Sequence, residues 1–259
     1  EARLAESIAG LFAEIEEALV VELEARGVPV NQYERDRLLV AIDVRAETYQ
    51  RLVAGAAMDA ATEGSLAVAS MLKAAGIAVS DTLLSDYTLA QLEAMVFTAS
   101  DATVARLTGN INAALIDAYS SGLGIEEAGR VLRDGVFENM RTYEATRVAR
   151  TEINGAQNWG SFQTIRDYGQ YAEWWTALDA RVRTYYSTGG LADHMLLHGQ
   201  IVRIGDKFSN GLMYPGDRAG RIAEWISCRC RLLPFMMPMG YTAPIGVPYF
   251  TRAELIRVT

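Results

Sequence analysis

The chain has 259 residues, 50% hydrophobic and 22% charged, which is the composition of a globular protein with a substantial core. It has no run of about 20 apolar residues, which argues against a helical membrane span. The net charge of −8 is uneven: residues 1–150 carry 23 acidic and 13 basic side chains, and residues 151–259 carry 9 and 11. An acidic front half argues against broad nucleic-acid coating there.

Leu4, Ile8, Leu11, Phe12, Ile15, Leu19 and Leu23 recur in steps of three and four, which predicts a helix over residues 3–26. Glu14, Glu16, Glu17, Glu22 and Glu24 fill its other face, and Gly27 with Pro29 stops it. Asn31 can cap a second helix, with Glu34 as its capping-box partner. That helix runs toward Leu72 and stops near Gly76, with Gly55 and Gly64 as points of interruption. Further helical runs start near Thr88 and near Asp101, the latter reaching Tyr119. After the loop Gly122-Leu123-Gly124 a helix covers Ile125 to Leu132. A break near Gly135 precedes a long helix ending at Tyr168.

From Tyr171 the period shortens. Residues 173–178, Arg181-Val182-Arg183, residues 199–204 and residues 228–233 read as short strands, with turns at Gly205-Asp206 and Pro215-Gly216. A Pro- and Met-rich tail follows, with a short helix near residues 252–258. The fold class expected is α+β: a mainly α-helical N-terminal part, then a small α+β module with a short antiparallel sheet.

Candidate site residues concentrate in the back half. Arg150 and Glu152 lie two apart around Thr151 on a helix, so they point to different sides, and one is expected to pair with a group between Asp179 and Arg183. On a strand Arg181 and Arg183 share a face, available to salt-bridge Glu152 or Asp179, or to bind phosphate or a partner. Trp174, Trp175 and Trp225 read as core anchors. His194 and His198 share a face if their segment is helical, and with Cys228 and Cys230 they make four soft ligands, the number a structural zinc prefers. The Cys-x-Cys spacing is tighter than usual for zinc, and two buried thiols beside a hydrogen-bonded His194 is the alternative. Two cysteines are too few for a disulfide scaffold and point to a reducing compartment. The chain has no Gly-x-Ser-x-Gly elbow, no phosphate loop and no His-Glu-x-x-His. An enzyme would have to use the His194/His198 pair and an acid such as Asp193, as a metal-dependent hydrolase or nuclease.

Taken in order, Ala149-Arg150-Thr151-Glu152, Glu173-Trp174, Asp179-Ala180-Arg181-Val182-Arg183, His194, His198-Gly199-Gln200, Phe208, Tyr214-Pro215-Gly216-Asp217 and Cys228-Arg229-Cys230 form an ordered set. This set resembles the phage Mu F-like minor head proteins, the portal-associated minor capsid proteins of tailed phages and prophages. The likeness covers residues 149–234, with a similar loop and helix at 122–132. His198 departs from the pattern, which often has Asp or Asn before Gly-Gln. The resemblance implies a non-enzymatic protein of the capsid interior, made in the host cytoplasm and present in few copies near the portal. It would act in head assembly, genome packaging or delivery. The partners implied are the portal protein, the scaffold or major capsid protein, and packaged DNA, with no membrane; a DNA-binding internal head protein is the further alternative. No cofactor is expected beyond the candidate zinc. The domain reading is a helical partner-binding region (1–120), the Mu F-like module (121–235) and a C-terminal tail (236–259). Alanine stripes at Ala56-Ala57, Ala60-Ala61 and Ala74-Ala75 are expected to face the portal.

Overall fold

Helix formation follows the apolar stripes. In the computed structural model, which describes residues 1–80 and 83–258, α1 (Ala2–Arg26) buries all seven stripe residues from Leu4 to Leu23. Asn31 caps α2 (Gln32–Ala74) as its spacing indicates: its Oδ1 accepts from the Glu34 N–H at 3.0 Å, and the Glu34 carboxylate accepts from the Val30 N–H at 2.9 Å. α2 runs unbroken through Gly55 and Gly64. The runs expected at Thr88 and Asp101 are one helix, α3 (Asp86–Ser120). α4 (Ile125–Leu132) starts at Gly124, whose N–H donates to Glu127 at 3.1 Å. No break follows at Gly135. Arg133–Phe137 and Met140–Glu144 are π-helical, and the helix continues as α5 (Ala145–Tyr168). Widening a turn shifts the buried face without ending the helix, so Val136, Phe137, Met140 and Glu144 all turn inward.

The chain forms two compact units. One comprises Glu1–Ala56 and Glu93–Ala149, the other Ala57–Leu92 and Arg150–Thr259. These limits do not coincide with the boundaries expected after residues 120 and 235, because long helices contribute residues to both units and the tail belongs to the second.

In the first unit the α1 stripe forms a core in which Phe12 stacks on Tyr49 at 6.0 Å. Glu16, expected on the polar face, is buried and accepts from Arg133 at 3.3 Å and from Arg141. Glu144, also buried, pairs with Arg106 at 2.7 Å and with Arg147. Each buried carboxylate thus holds two guanidiniums, the pairing that offsets its desolvation.

In the second unit a three-stranded antiparallel sheet runs β2-β1-β3, with β1 (Tyr171–Trp175) central, β2 (Ile201–Arg203) and β3 (Arg231–Phe235) outside. Ala172 faces Val202 on one side and Pro234 on the other; proline is tolerated because β3 is an edge. Val68 and Leu72 of α2 and Phe162 and Ile165 of α5 share a core with Trp174, Val202 and Leu232 of the sheet. α2 and α5 meet closely: a Cβ on Gly64 would strike the Gln157 carbonyl, and one on Gly160 the Ala61 carbonyl. Ala57, Ala60 and Ala61, expected to face a partner, are therefore buried inside the chain, while Ala74 and Ala75 are exposed.

The tail is attached to this sheet. Ile201 and Phe250 exchange backbone hydrogen bonds of 2.7 and 2.9 Å, and Arg252 grips the buried Glu173 carboxylate at 2.9 and 2.7 Å. The helix expected over 252–258 is only one 3-10 turn, Arg252–Glu254, followed by β5 (Ile256–Arg257) paired with β4 (Tyr241–Thr242). Among the described residues no helix is long and apolar enough to cross a membrane.

Candidate functional site

Three of the four soft ligands converge. The ligand atoms of His194, Cys228 and Cys230 all lie within 4.8 Å of one another, and all three residues are buried. His194 Nδ1 is 3.6 Å from Cys228 Sγ and 3.4 Å from Cys230 Sγ. On the far side of the ring, His194 Nε2 lies 3.0 Å from Glu224 Oε2, which also accepts from Asn210 at 2.9 Å. A carboxylate only accepts, so it holds a proton on Nε2 and turns Nδ1 toward the two sulfurs. Glu224 belongs to a short helix, α6 (Ile222–Trp225).

The backbone of Cys230 is set from α5. Asn154 and Asn158, one turn apart, donate to the Cys230 carbonyl at 3.3 and 2.9 Å, and Asn158 Oδ1 accepts from the Leu232 N–H at 2.8 Å. These bonds carry the chain from Cys230 into β3. Cys228 accepts from the Cys230 thiol, which together with His194 holds the Cys228 thiol well below its ordinary range despite burial. The same contact pushes the Cys230 thiol up. Both cysteines are free.

His198 stands apart from this cluster. The segment from residue 191 to 198 is bends and turns, so the helix face that would pair it with His194 does not exist. Its Nδ1 accepts from the Thr176 N–H at 3.2 Å, and its ring packs edge-on to Trp175 at 5.0 Å. Three of the four candidate ligands thus come together, and His194 and His198 do not share a helix face.

A cavity of about 200 Å³ opens beside the cluster, lined by Arg150, Arg181, Arg183 and Arg229 as well as His194 and Cys230. Arg181-Val182-Arg183 is a turn, not a strand: Val182 N–H donates back to the Asp179 carbonyl at 3.0 Å. Arg229 forks onto Asp179, with one bond of 2.9 Å, and Arg181 reaches the same carboxylate at 3.2 Å. Hydrogen bonds from Arg229 hold the Asp179 carboxyl well below the usual carboxylate range. Arg183 donates to the Ile226 carbonyl.

The remaining motif residues fasten loops. Glu152 pairs with Arg218, not with the 179–183 segment, and burial still raises its carboxyl above the ordinary value. Thr151 Oγ1 accepts from the Ser227 N–H at 2.9 Å. The Gln200 amide both donates to Ser209 Oγ and accepts from the Ser209 N–H, each at 2.9 Å. Gly199, at φ 76°, donates to the Trp174 carbonyl at 2.8 Å. Pro215-Gly216 brings backbone against α5, where a Cβ on Gly216 would lie 2.7 Å from Gly155 Cα. Asp217 accepts from Met213 and Ala219 at 3.1 and 2.9 Å. Trp174 is a core anchor, Trp175 is 39% exposed, and Trp225 is half-buried beneath Arg218.

Glu224, Asn210, Asn154, Asn158 and Arg218 were not picked out from the sequence. Of these only Asn154 and Asn158 carry a signal there, two amides four residues apart on one helix face. No family model, no curated protein and no solved structure matches the chain.

Proposed function

We propose that the chain is a non-enzymatic minor head protein of a tailed phage, bound to the portal inside the capsid and acting in head assembly, genome packaging or delivery. The observation that carries the reading is where the ordered motif residues lie. Arg-Thr-Glu, the Asp179–Arg229 fork, Gln200, Pro215-Gly216-Asp217 and Cys-Arg-Cys are far apart in sequence, yet each ties a loop or strand into the same unit. A set of fasteners suits a part that must hold its shape in an assembly. The hydrolase alternative would use His194 and His198 together, whereas His198 bonds Thr176 and packs against Trp175 outside the His194 cluster.

Co-expression of the full chain with the portal protein from the same phage tests the reading. The expected result is a complex that stays together through affinity and size-exclusion steps. Two separate proteins at micromolar concentration would overturn it.

A further inference from the structure

We propose that His194, Cys228 and Cys230 bind one zinc ion, whose fourth coordination position faces the arginine-lined cavity and takes a water or small anion. The proposal is independent of the reading as a head protein. Its first support is spacing. Zinc with Zn–S of about 2.3 Å and Zn–N of about 2.05 Å at tetrahedral angles sets a nitrogen–sulfur edge of about 3.6 Å. The two edges here are 3.4 and 3.6 Å. Hydrogen bonds from two thiols have similar lengths, but Nδ1 has one lone pair and accepts only one of them well.

Outer contacts point the same way. A metal-bound histidine commonly donates its other ring N–H to a carboxylate that is itself hydrogen-bonded. Glu224 and Asn210 supply that arrangement on Nε2. The indole N–H of Trp174, fully buried, has the Cys230 sulfur as its nearest acceptor but forms no well-aligned hydrogen bond among the described residues. A metal-bound thiolate would be a stronger acceptor there than a thiol. Asn154 and Asn158 pin the backbone of Cys230, which narrows where its sulfur can lie before metal arrives.

Three protein ligands leave zinc one position short of four. His194 and Cys230 both line the cavity, so that position is reachable from it. Four guanidiniums line the cavity against the one carboxylate of Asp179 that Arg181 and Arg229 share, a net positive lining that favours an anionic occupant, and 200 Å³ accommodates a few waters or a phosphate-sized group.

The test uses the full chain, stripped with chelator and titrated with zinc, then separately with cobalt(II). The expected result is one equivalent of zinc, and a cobalt spectrum with thiolate-to-metal charge-transfer bands. His194→Ala, Cys228→Ser and Cys230→Ser should lose binding, and His198→Ala should keep it. Fewer than about 0.2 zinc per chain after titration would overturn the site, as would a cobalt spectrum without thiolate bands, a readout that needs no variant to fold. Equal loss in His198→Ala and His194→Ala would overturn the three-ligand assignment. Inorganic phosphate or acetate should shift the cobalt d–d bands; bands unchanged at saturating anion would overturn the open position.

Discussion

Gly160→Ala is expected to destabilise the second unit by about 3 kcal/mol, although alanine is the better helix former. In an open helix the change gains about 0.5–1 kcal/mol. Here the new methyl would meet the backbone carbonyl of Ala61, which has no rotamer to yield, so α2 and α5 must move apart. Overpacking of this kind costs about 1–3 kcal/mol. Separation also loosens two buried hydrogen bonds across the helices, Ser65 to Thr164 and Ser161 Oγ to the Gly64 carbonyl at 3.2 Å. Ser161 keeps its bond to the Gln157 carbonyl at 2.9 Å and Thr164 its bond to the Gly160 carbonyl at 3.2 Å, so this loosening adds only about 1 kcal/mol in all. Partial relief of both terms brings the net near 3 kcal/mol. Gly64→Ala, against the Gln157 carbonyl, should behave alike. Gly155→Ala is the control: on the same helix, its methyl meets only the Gly216 carbonyl at 3.7 Å, an ordinary contact, and the change should be neutral or slightly stabilising. Urea unfolding read by tryptophan fluorescence suits the comparison, because all four tryptophans lie in the second unit. Gly160→Ala within about 0.5 kcal/mol of wild type would refute the close helix contact.

Other expectations follow from the buried charges. Arg252→Ala should cost about 3 kcal/mol, the low end for breaking a buried pair, because it strands the Glu173 carboxylate at 1% exposure; Glu173→Gln should cost about 1, because Arg252 can turn to solvent. Equal costs in urea unfolding would count against this asymmetry. Asp179 and Glu152 should shape the stability–pH profile with opposite signs. The depressed Asp179 carboxyl contributes stability present above about pH 4 and lost as pH falls, so Asp179→Asn should flatten the acid limb. The raised Glu152 carboxyl contributes stability that is full below about pH 4.3 and lost as pH rises through its folded value, so Glu152→Gln should remove that decline. Unfolding midpoints measured from pH 3 to pH 8 would show both, and shifts of the same sign would contradict the assignment.

Much of the fold was legible because helical periodicity is local. The α1 stripe, the Asn31 cap and the end at Tyr168 are written in neighbouring residues. What failed depends on distant partners. Gly64 reads as a weak point until Gln157 is placed against it, and Glu16 reads as solvated until Arg133 and Arg141 arrive. Gly135 reads as a stop, but the helix absorbs it by widening its turn. At the site, residue chemistry singled out His194, Cys228 and Cys230, which the fold brings together, while the helical spacing that joined His198 to them falls on a turn. Alternation likewise made a strand of Arg181-Val182-Arg183, where the backbone bends back to Asp179. Glu224 carries no local mark at all, since only folding sets it 3.0 Å from a histidine 30 residues away.

The proposed role is tested most directly by quantitative mass spectrometry of purified virions and of capsids assembled without portal. The account predicts a few copies of this chain per virion and none in portal-less capsids. Absence from the virion, or equal amounts with and without the portal, would contradict it.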